Sequence, residues 1–286
     1  MNRKILWSVA IVGAMALVLS GISCGDDDVN PSDGGDVRDE SGGGDVVDEG
    51  GGGACPPTAI AGGISTMRLR RLNITAPEAM RNRILQQLIN TSMDDELFIW
   101  LMRFDGIGSG TINLETGSGQ AATAAATYSF LPDPYPPDSM IMAETDLDFS
   151  LSGDPIPRLD VPMWSEGDAF PDPPLLVLPL RELDISGTFS ADHLTIGYFD
   201  ETAADWVDGG LLQGKVTVAD AQATVIEDLG MTLCGLISGN TGVASDPSDD
   251  CNPADRPWDN EPDAMVGTDE AYFMTGTISA SAVCIE

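Results

Sequence analysis

The sequence predicts a mainly β domain over residues 55–286: an antiparallel β-sandwich or jelly-roll-like fold with two short helices. Three observations carry this expectation. Asp146–Leu151 and Glu182–Ser190 alternate apolar and polar residues, the period of a strand with one buried and one wetted face. Gly-, Pro- and Asp-rich turn signals separate such segments at short intervals. Apolar residues at helical spacing occur in only two stretches. A lipocalin-like β-barrel is the alternative closure of the same strands.

The elements follow in order. Met67–Leu72 alternates Arg with apolar residues and reads as the opening strand. Thr75-Ala-Pro-Glu78 resembles a capping box, with Pro77 tolerated in a first turn. Met80, Ile84, Leu85 and Leu88 then predict a helix from Ala76 to about Asn90. Phe98–Phe104 is rich in strand formers, and Asp105–Gly110 reads as a hairpin turn into Thr111–Glu115. Ala121–Leu131 alternates small residues and Thr before the break at Pro132, Pro134, Pro136 and Pro137. Leu183, Ile185 and Phe189 form the buried face of the strand at 182–190. Leu194–Phe199 and Leu211–Val218 are further strands. Val218, Val225, Leu229, Leu233 and Leu236 predict a second helix, bent near Gly230. Tyr272–Ile285 is a long closing strand.

Ahead of the domain stand two segments of other character. Arg3 and Lys4 precede an apolar run from Ile5 to Leu19, followed by small residues and Gly21-Ile22-Ser23-Cys24. This is the layout of an export signal, with an apolar core too short to span comfortably. The cysteine at the cut point resembles the lipobox of bacterial lipoproteins, with Gly21 where such signals usually carry Leu. The resemblance implies a lipidated Cys24 as the new N-terminus, holding the chain to the membrane through several acyl chains. Gly25 after it resembles an outer-membrane address. Residues 25–54 hold ten Gly, eight Asp and two Glu against one Arg and lack aromatics. Such a composition cannot bury enough surface to offset its ordering entropy, so it predicts a disordered acidic tether. The stretch PLRELDISGTFS, then LLQGKVTVADAQATV, a later Cys-Gly-Leu-Ile, an Asp-rich loop and a final strand resemble uncharacterised secreted β-rich lipoproteins of myxobacteria-like bacteria. That resemblance implies a fold and an extracytoplasmic compartment, and no activity.

Four cysteines remain: Cys55, Cys234, Cys251 and Cys284. An even count behind an export signal suggests two disulfides. Of the three pairings, Cys55–Cys284 with Cys234–Cys251 is favoured: the first staples the domain's ends, the second closes a local loop worth about 3 kcal/mol. Without C-x-x-C spacing and with one histidine, zinc is not expected.

Charge excludes one class of partner. The chain carries 46 acidic and 13 basic residues, a formal charge of −33. Nucleic-acid binding needs clustered Lys and Arg to neutralise phosphates. The one basic cluster, Arg68, Arg70 and Arg71 with Arg81 and Arg83 nearby, reads as a charge-balancing surface.

The catalytic search is mostly negative. His193 is the only histidine and reads as a loop residue. Neither G-x-S-x-G nor a Walker motif occurs. Gly106-Ile-Gly108-Ser-Gly110 is a turn, not a phosphate cradle. Carboxylate pairs abound, so a glycosidase needing only two could reside among them. The acidic loop 246–263 is the single metal candidate: Asp246, Asp249, Asp250, Asp255, Asp259 and Asp263 supply hard oxygens suited to calcium, and Cys251 would steady them. The spacing matches no EF-hand, and a solvated acidic loop is the plainer expectation. Trp258 beside it offers a sugar-stacking platform or a cap on the core.

These features lead to a membrane-tethered extracytoplasmic module that is non-catalytic and binds an envelope protein or glycan, or has a structural role in the envelope. A calcium-assisted, carboxylate-based polysaccharide hydrolase and an amphiphile carrier are the alternatives. Replacing the acylated thiol tests the anchor: Cys24→Ser is expected to move the protein from the membrane fraction to the soluble fraction, read by detergent partitioning of the two forms.

Overall fold

The computed structural model describes residues 55–81, 83–226, 230–239 and 260–286. Seventeen strands are defined among them: β1 (Ile64–Ala76), β2 (Trp100–Asp105), β3 (Thr111–Ala121), β4 (Thr127–Phe130), β5 (Asp138–Thr145), β6 (Asp148–Leu151), β7 (Ile156–Met163), β8 (Leu176–Thr188), β9 (Thr195–Ile196), β10 (Tyr198–Asp200), β11 (Asp205–Val207), β12 (Gly210–Thr217), β13 (Val225–Ile226), β14 (Met231–Thr232), β15 (Ala264–Val266), β16 (Asp269–Ala282) and β17 (Cys284–Ile285). The helices are α1 (Arg83–Asp94), α2 (Val218–Ala223) and α3 (Leu233–Ser238). The domain is thus mainly β with short helices, as the alternating segments predict.

Hydrogen bonding closes the main sheet on itself. β1 pairs β2, β2 pairs β3, β3 pairs β5, β5 pairs β6, β6 pairs β8, β8 pairs β12, β12 pairs β16, and β16 returns to β1. Every one of these pairings is antiparallel. Neighbours in this ring of eight follow each other along the chain, and the remaining strands are excursions from it. The expected sandwich and the expected barrel therefore meet in one object, whose facing walls are joined along both edges. Closure removes the exposed edges that would otherwise template association.

Side chains fill the ring. Trp100, Met102 and Phe104 of β2, Ile112 and Leu114 of β3, Leu183 and Ile185 of β8, and Met274 and Ile278 of β16 are buried in one cluster. At its centre Phe104, Phe149 and Phe189 pack with ring centroids 4.6–5.2 Å apart, distances at which edge-on and offset rings attract. Thr116 Oγ1 receives the Trp100 indole N–H at 2.8 Å, so the largest core side chain leaves no unpaired donor.

Helices close the end at which β1 and β12 terminate. Met80, Ile89 and Met93 from the α1 region, Ala221 of α2, and Leu233 and Ile237 of α3 belong to the same buried cluster as the ring interior. The first helix departs from expectation. A 3-10 turn at Glu78–Arg81 comes first, and α1 starts later and runs past Asn90 to Asp94. Buried Met93 extends the apolar face four residues beyond Ile89. α1 also guards an edge: β2 covers β1 only from Ile64 to Arg68. Beyond that, Leu72 N–H donates to Asn90 Oδ1 at 3.1 Å and Ile74 N–H to Gln86 Oε1 at 2.8 Å.

The second predicted helix is two. α2 and α3 each begin on a threonine, Thr217 and Thr232, whose hydroxyl accepts from Asp220 N and Gly235 N. Between them the hairpin pair β13–β14 intervenes. β-branched Thr224 and Val225 and the positive φ of Gly230 favour that break. Leu229 lies outside the described residues. The predicted strand Leu194–Phe199 is likewise split, at Gly197. Its φ is +74°, and a Cβ there would sit 2.1 Å from the Val207 carbonyl oxygen.

A smaller core lies outside the ring wall. Ile99, Leu101, Tyr128 and Val283 pack under β4 and the parallel-paired β17. The Cys55–Cys284 disulfide forms as expected, Cα to Cα 5.7 Å, and joins the two ends of the domain beside this layer. Arg68, 2 % exposed, points into it rather than lying on a charge-balancing surface. Its Nη1 donates to Glu96 Oε1 at 2.6 Å and to the Tyr128 hydroxyl at 2.7 Å, and Nη2 donates to the Met93 carbonyl. A buried guanidinium is tolerated where its charge is met by Glu96 and its two terminal nitrogens are hydrogen-bonded, although Nε is left without a partner among the described residues. Burial and the hydrogen bond to Glu96 push the Tyr128 phenol up. The aromatic centre of the ring is expected to dominate stability: Phe104→Ala should lower the unfolding free energy by about 3–5 kcal/mol in urea titration, with the same two-state transition.

Candidate functional site

Strand β7, its partner β8 and helix α2 frame a cleft of about 310 Å³. β7 and β8 pair from Ile156↔Leu183 to Met163↔Leu176, and β12 pairs β8 only between Arg181 and Gly187. Leu176, Val177 and Pro179 of β8 therefore border the cleft, opposite Ala223, Thr224 and Val225. Pro174, Leu175, Leu176, Val177 and Pro179 give it apolar walls. Arg158, Asp160 and Asp220 give it charge.

The charges are paired to one another. Asp220 sits in the first turn of α2, where it satisfies the helix start together with Thr217. Its carboxylate accepts from Arg181 Nε at 2.8 Å and Nη2 at 3.0 Å, and from the Thr217 hydroxyl at 2.7 Å. Such a fork-on-carboxylate pair is among the stronger polar contacts. Arg158 Nε holds Asp160 at 2.9–3.0 Å, and its Nη1 lies 3.8 Å from Asp220. Burial raises the Asp220 carboxyl, but the hydrogen bonds from Arg181 and Thr217 outweigh it and hold the group below its ordinary value. Asp220 is thus an anion at neutral pH.

A second acid behaves oppositely. Asp184 lies on the outer face of β8, between inward-facing Leu183 and Ile185. Its Oδ1 is enclosed and accepts no hydrogen bond among the described residues. Burial pushes its carboxyl up, against a smaller lowering by the Ile185 amide.

The sequence-derived candidates disperse. Asp246, Asp249, Asp250, Cys251, Asp255, Trp258 and Asp259 lie outside the described residues, as do the signal segment, Cys24 and the tether. Asp263 is exposed, and its Oδ1 accepts the Phe273 N–H at 2.7 Å. Cys234 is fully buried in α3 and engaged in a disulfide. Among the described residues no three His, Cys, Asp or Glu side chains gather as a metal site. The Gly106–Gly110 segment is the β2–β3 turn, as expected, and an internal anion fills it: Glu144 Oε2 accepts from Gly108 N at 2.7 Å and Gly110 N at 3.2 Å. His193 occupies the turn before β9, half-buried against Phe189 at 5.5 Å between ring centroids. Sequence reasoning missed Arg158, Arg181 and Asp220 as a group. Asp220 three residues after Thr217 was the one local signal, a capping pattern.

The outer wall carries a second feature. β10 and β11 form a separate two-stranded ribbon, Tyr198↔Val207, Phe199↔Trp206 and Asp200↔Asp205. Arg71 on β1 binds Asp205 at 2.9 Å and Asp94 of α1 at 2.8 Å, fixing ribbon and helix to the same strand. Asp208 accepts from Asn73 at 2.7 Å and Thr277 at 2.5 Å, fixing the base of the ribbon.

No protein-family model, curated protein or solved structure matches the chain.

The pairing of Asp220 has a pH signature. A carboxyl lowered in the folded state contributes stability above its ordinary value of 3.8 and loses it as pH falls below that. Asp220→Asn is expected to cost about 2 kcal/mol at neutral pH. The deficit should shrink in acid, as seen by comparing urea midpoints of the two forms across pH.

Proposed function

We propose that the chain is a membrane-tethered extracytoplasmic lipoprotein whose domain is a non-catalytic binding module of the cell envelope. Anchor and tether rest on the export signal, Cys24 and the acidic segment 25–54. The binding reading rests on one observation above the rest: the carboxylates that converge in the cleft are each committed to an arginine. A glycosidase needs one carboxyl that keeps its proton near neutral pH and one free to attack or activate water. Asp220, held ionised by Arg181, cannot be that acid, and Asp160 is engaged by Arg158 on both oxygens. Asp184 has the raised carboxyl an acid requires, but it stands on a strand face rather than in the cleft.

Other supports are consistent. Side chains from facing walls meet at the centre of the ring, where Phe104, Phe149 and Phe189 touch. That packing favours a solid scaffold over an amphiphile carrier. The net charge of −33 disfavours anionic partners such as nucleic acid. An envelope protein or an uncharged glycan is the partner class that remains. Calcium at the 246–263 loop would serve such a module as a brace, with Cys234–Cys251 holding the loop.

Incubation of the purified protein with soluble polysaccharides, with and without millimolar calcium, tests the reading by assay of new reducing ends. The expected result is none above boiled protein. Release that disappears in Asp160→Asn or Asp220→Asn would overturn it.

A further inference from the structure

The β10–β11 ribbon presents its apolar side chains to solvent. Tyr198 is 58 % exposed, Phe199 48 % and Val207 37 %. Among the described residues, the other exposed large apolar ones, Ile64, Leu88, Ile141, Val225 and Met265, are scattered over five separate elements. Across the ribbon Phe199 pairs with Trp206 on one face and Tyr198 with Val207 on the other, so Phe199 and Trp206 make one apolar corner, and exposed apolar groupings can mark interaction sites. The ribbon is also held in place. Arg71 pins Asp205, Asp208 is tied to Asn73 and Thr277, and Gly197 and Gly209 bring its base into backbone contact. Binding there would cost little ordering entropy.

Its chemistry selects the occupant. Residues 198–208 contain Asp200, Glu201, Asp205 and Asp208 and no Lys, Arg or His. Asp205 and Asp208 serve the fold, and Asp200 caps the turn through Thr202 N and Ala203 N. Glu201 is exposed and has no partner among the described residues. Phe199 and Trp206 meet edge to face, centroids 5.6 Å apart and planes 69° apart. Two rings so angled do not make the coplanar platform on which a sugar stacks. They make a corner with an electron-rich face, bordered by carboxylates, which suits a cation. The charge of the whole chain repels anions and attracts bases.

We propose that this ribbon docks a Lys- or Arg-bearing segment of a partner protein, its cationic head in the corner of the Phe199 and Trp206 rings, with Glu201 in the adjoining turn. The proposal rests on the chain being a binding module and names the surface and the partner class.

The probe is a short synthetic Arg-Ala peptide, titrated into the full-length protein in detergent at about 150 mM salt, where distant charges are screened. Binding is read by calorimetry and by Trp fluorescence. The variant Phe199→Ser keeps every charge, so general attraction to an acidic protein survives in it. It is expected to weaken binding about tenfold, with an unchanged melting temperature. Ile141→Ser, exposed elsewhere, should bind as wild type. Equal affinity in Phe199→Ser and wild type would overturn the proposal, as would absence of peptide binding or preference for a neutral cello-oligosaccharide. Those failures leave the polysaccharide assay silent, and only turnover in that assay would overturn the binding-module reading itself.

Discussion

The pairing of β1 with β16 is the constraint on which the rest of the structure depends. It joins the first and last ring strands from Met67↔Ala282 to Ala76↔Thr275, across about two hundred residues of chain. A contact so distant in sequence is reached only after most of the conformational entropy has been lost, so ring closure comes late and slowly in folding. The Cys55–Cys284 disulfide lies just beyond the end of this pair and shortens the search by tying the termini. Once closed, the same two strands carry most of the outer wall. α1 caps the free amides of β1, β17 crosses from β16 to β4, and the aromatic ribbon is pinned to Arg71, Asn73 and Thr277.

Charge is organised around that wall. Few cations stand against many acids, and those on the ring strands are used as staples. Arg68 secures the small outer core, and Arg71 joins helix to ribbon. Arg103 bridges β2 and β3, Arg181 ties β8 to α2, and Lys215 ties β12 to Glu182. Exposed pairs of this kind are individually weak, but each one here joins two different elements. The consequence for function is that the cleft between β7, β8 and α2 is electrically quiet, while the ribbon keeps unspent negative charge beside exposed rings.

Strands with a wet outer face were legible in the sequence. β2, β6, β12 and β16 appear near where alternation or strand-forming composition places them, whereas β8 starts at Leu176, six residues before the alternating Glu182–Ser190 segment. β5 and β7 were not legible, for different reasons. In β5, outward Ile141 stands between buried Met140 and Met142, so the alternation is hidden. β7 carries Pro157 and Pro162, which argue against a strand, and buries Val161, Pro162 and Met163 on both faces. Ring closure has no local signature, because it rests on which strands meet and not on how any one is patterned. The same holds for the cleft, whose Arg158, Arg181 and Asp220 come from three elements. The ribbon was half legible: Tyr198-Phe199 and Trp206-Val207 flank a turn-like Glu-Thr-Ala-Ala, but only pairing joins Phe199 to Trp206 on one face and Tyr198 to Val207 on the other. The Cys55–Cys284 link was legible from position alone, since cysteines at the two ends of a domain have few other ways to meet.

Native-state hydrogen exchange of the purified domain tests ring closure most directly. The buried amides of Leu69 on β1 and of Ile278 and Ala280 on β16 are predicted to exchange only through global unfolding. Their opening free energy should then equal that of Leu183 and Ile185 on β8, with the same denaturant dependence. Exchange of β1 and β16 amides at a markedly lower free energy than β8 would contradict a closed ring and describe an open sheet with two frayed edges.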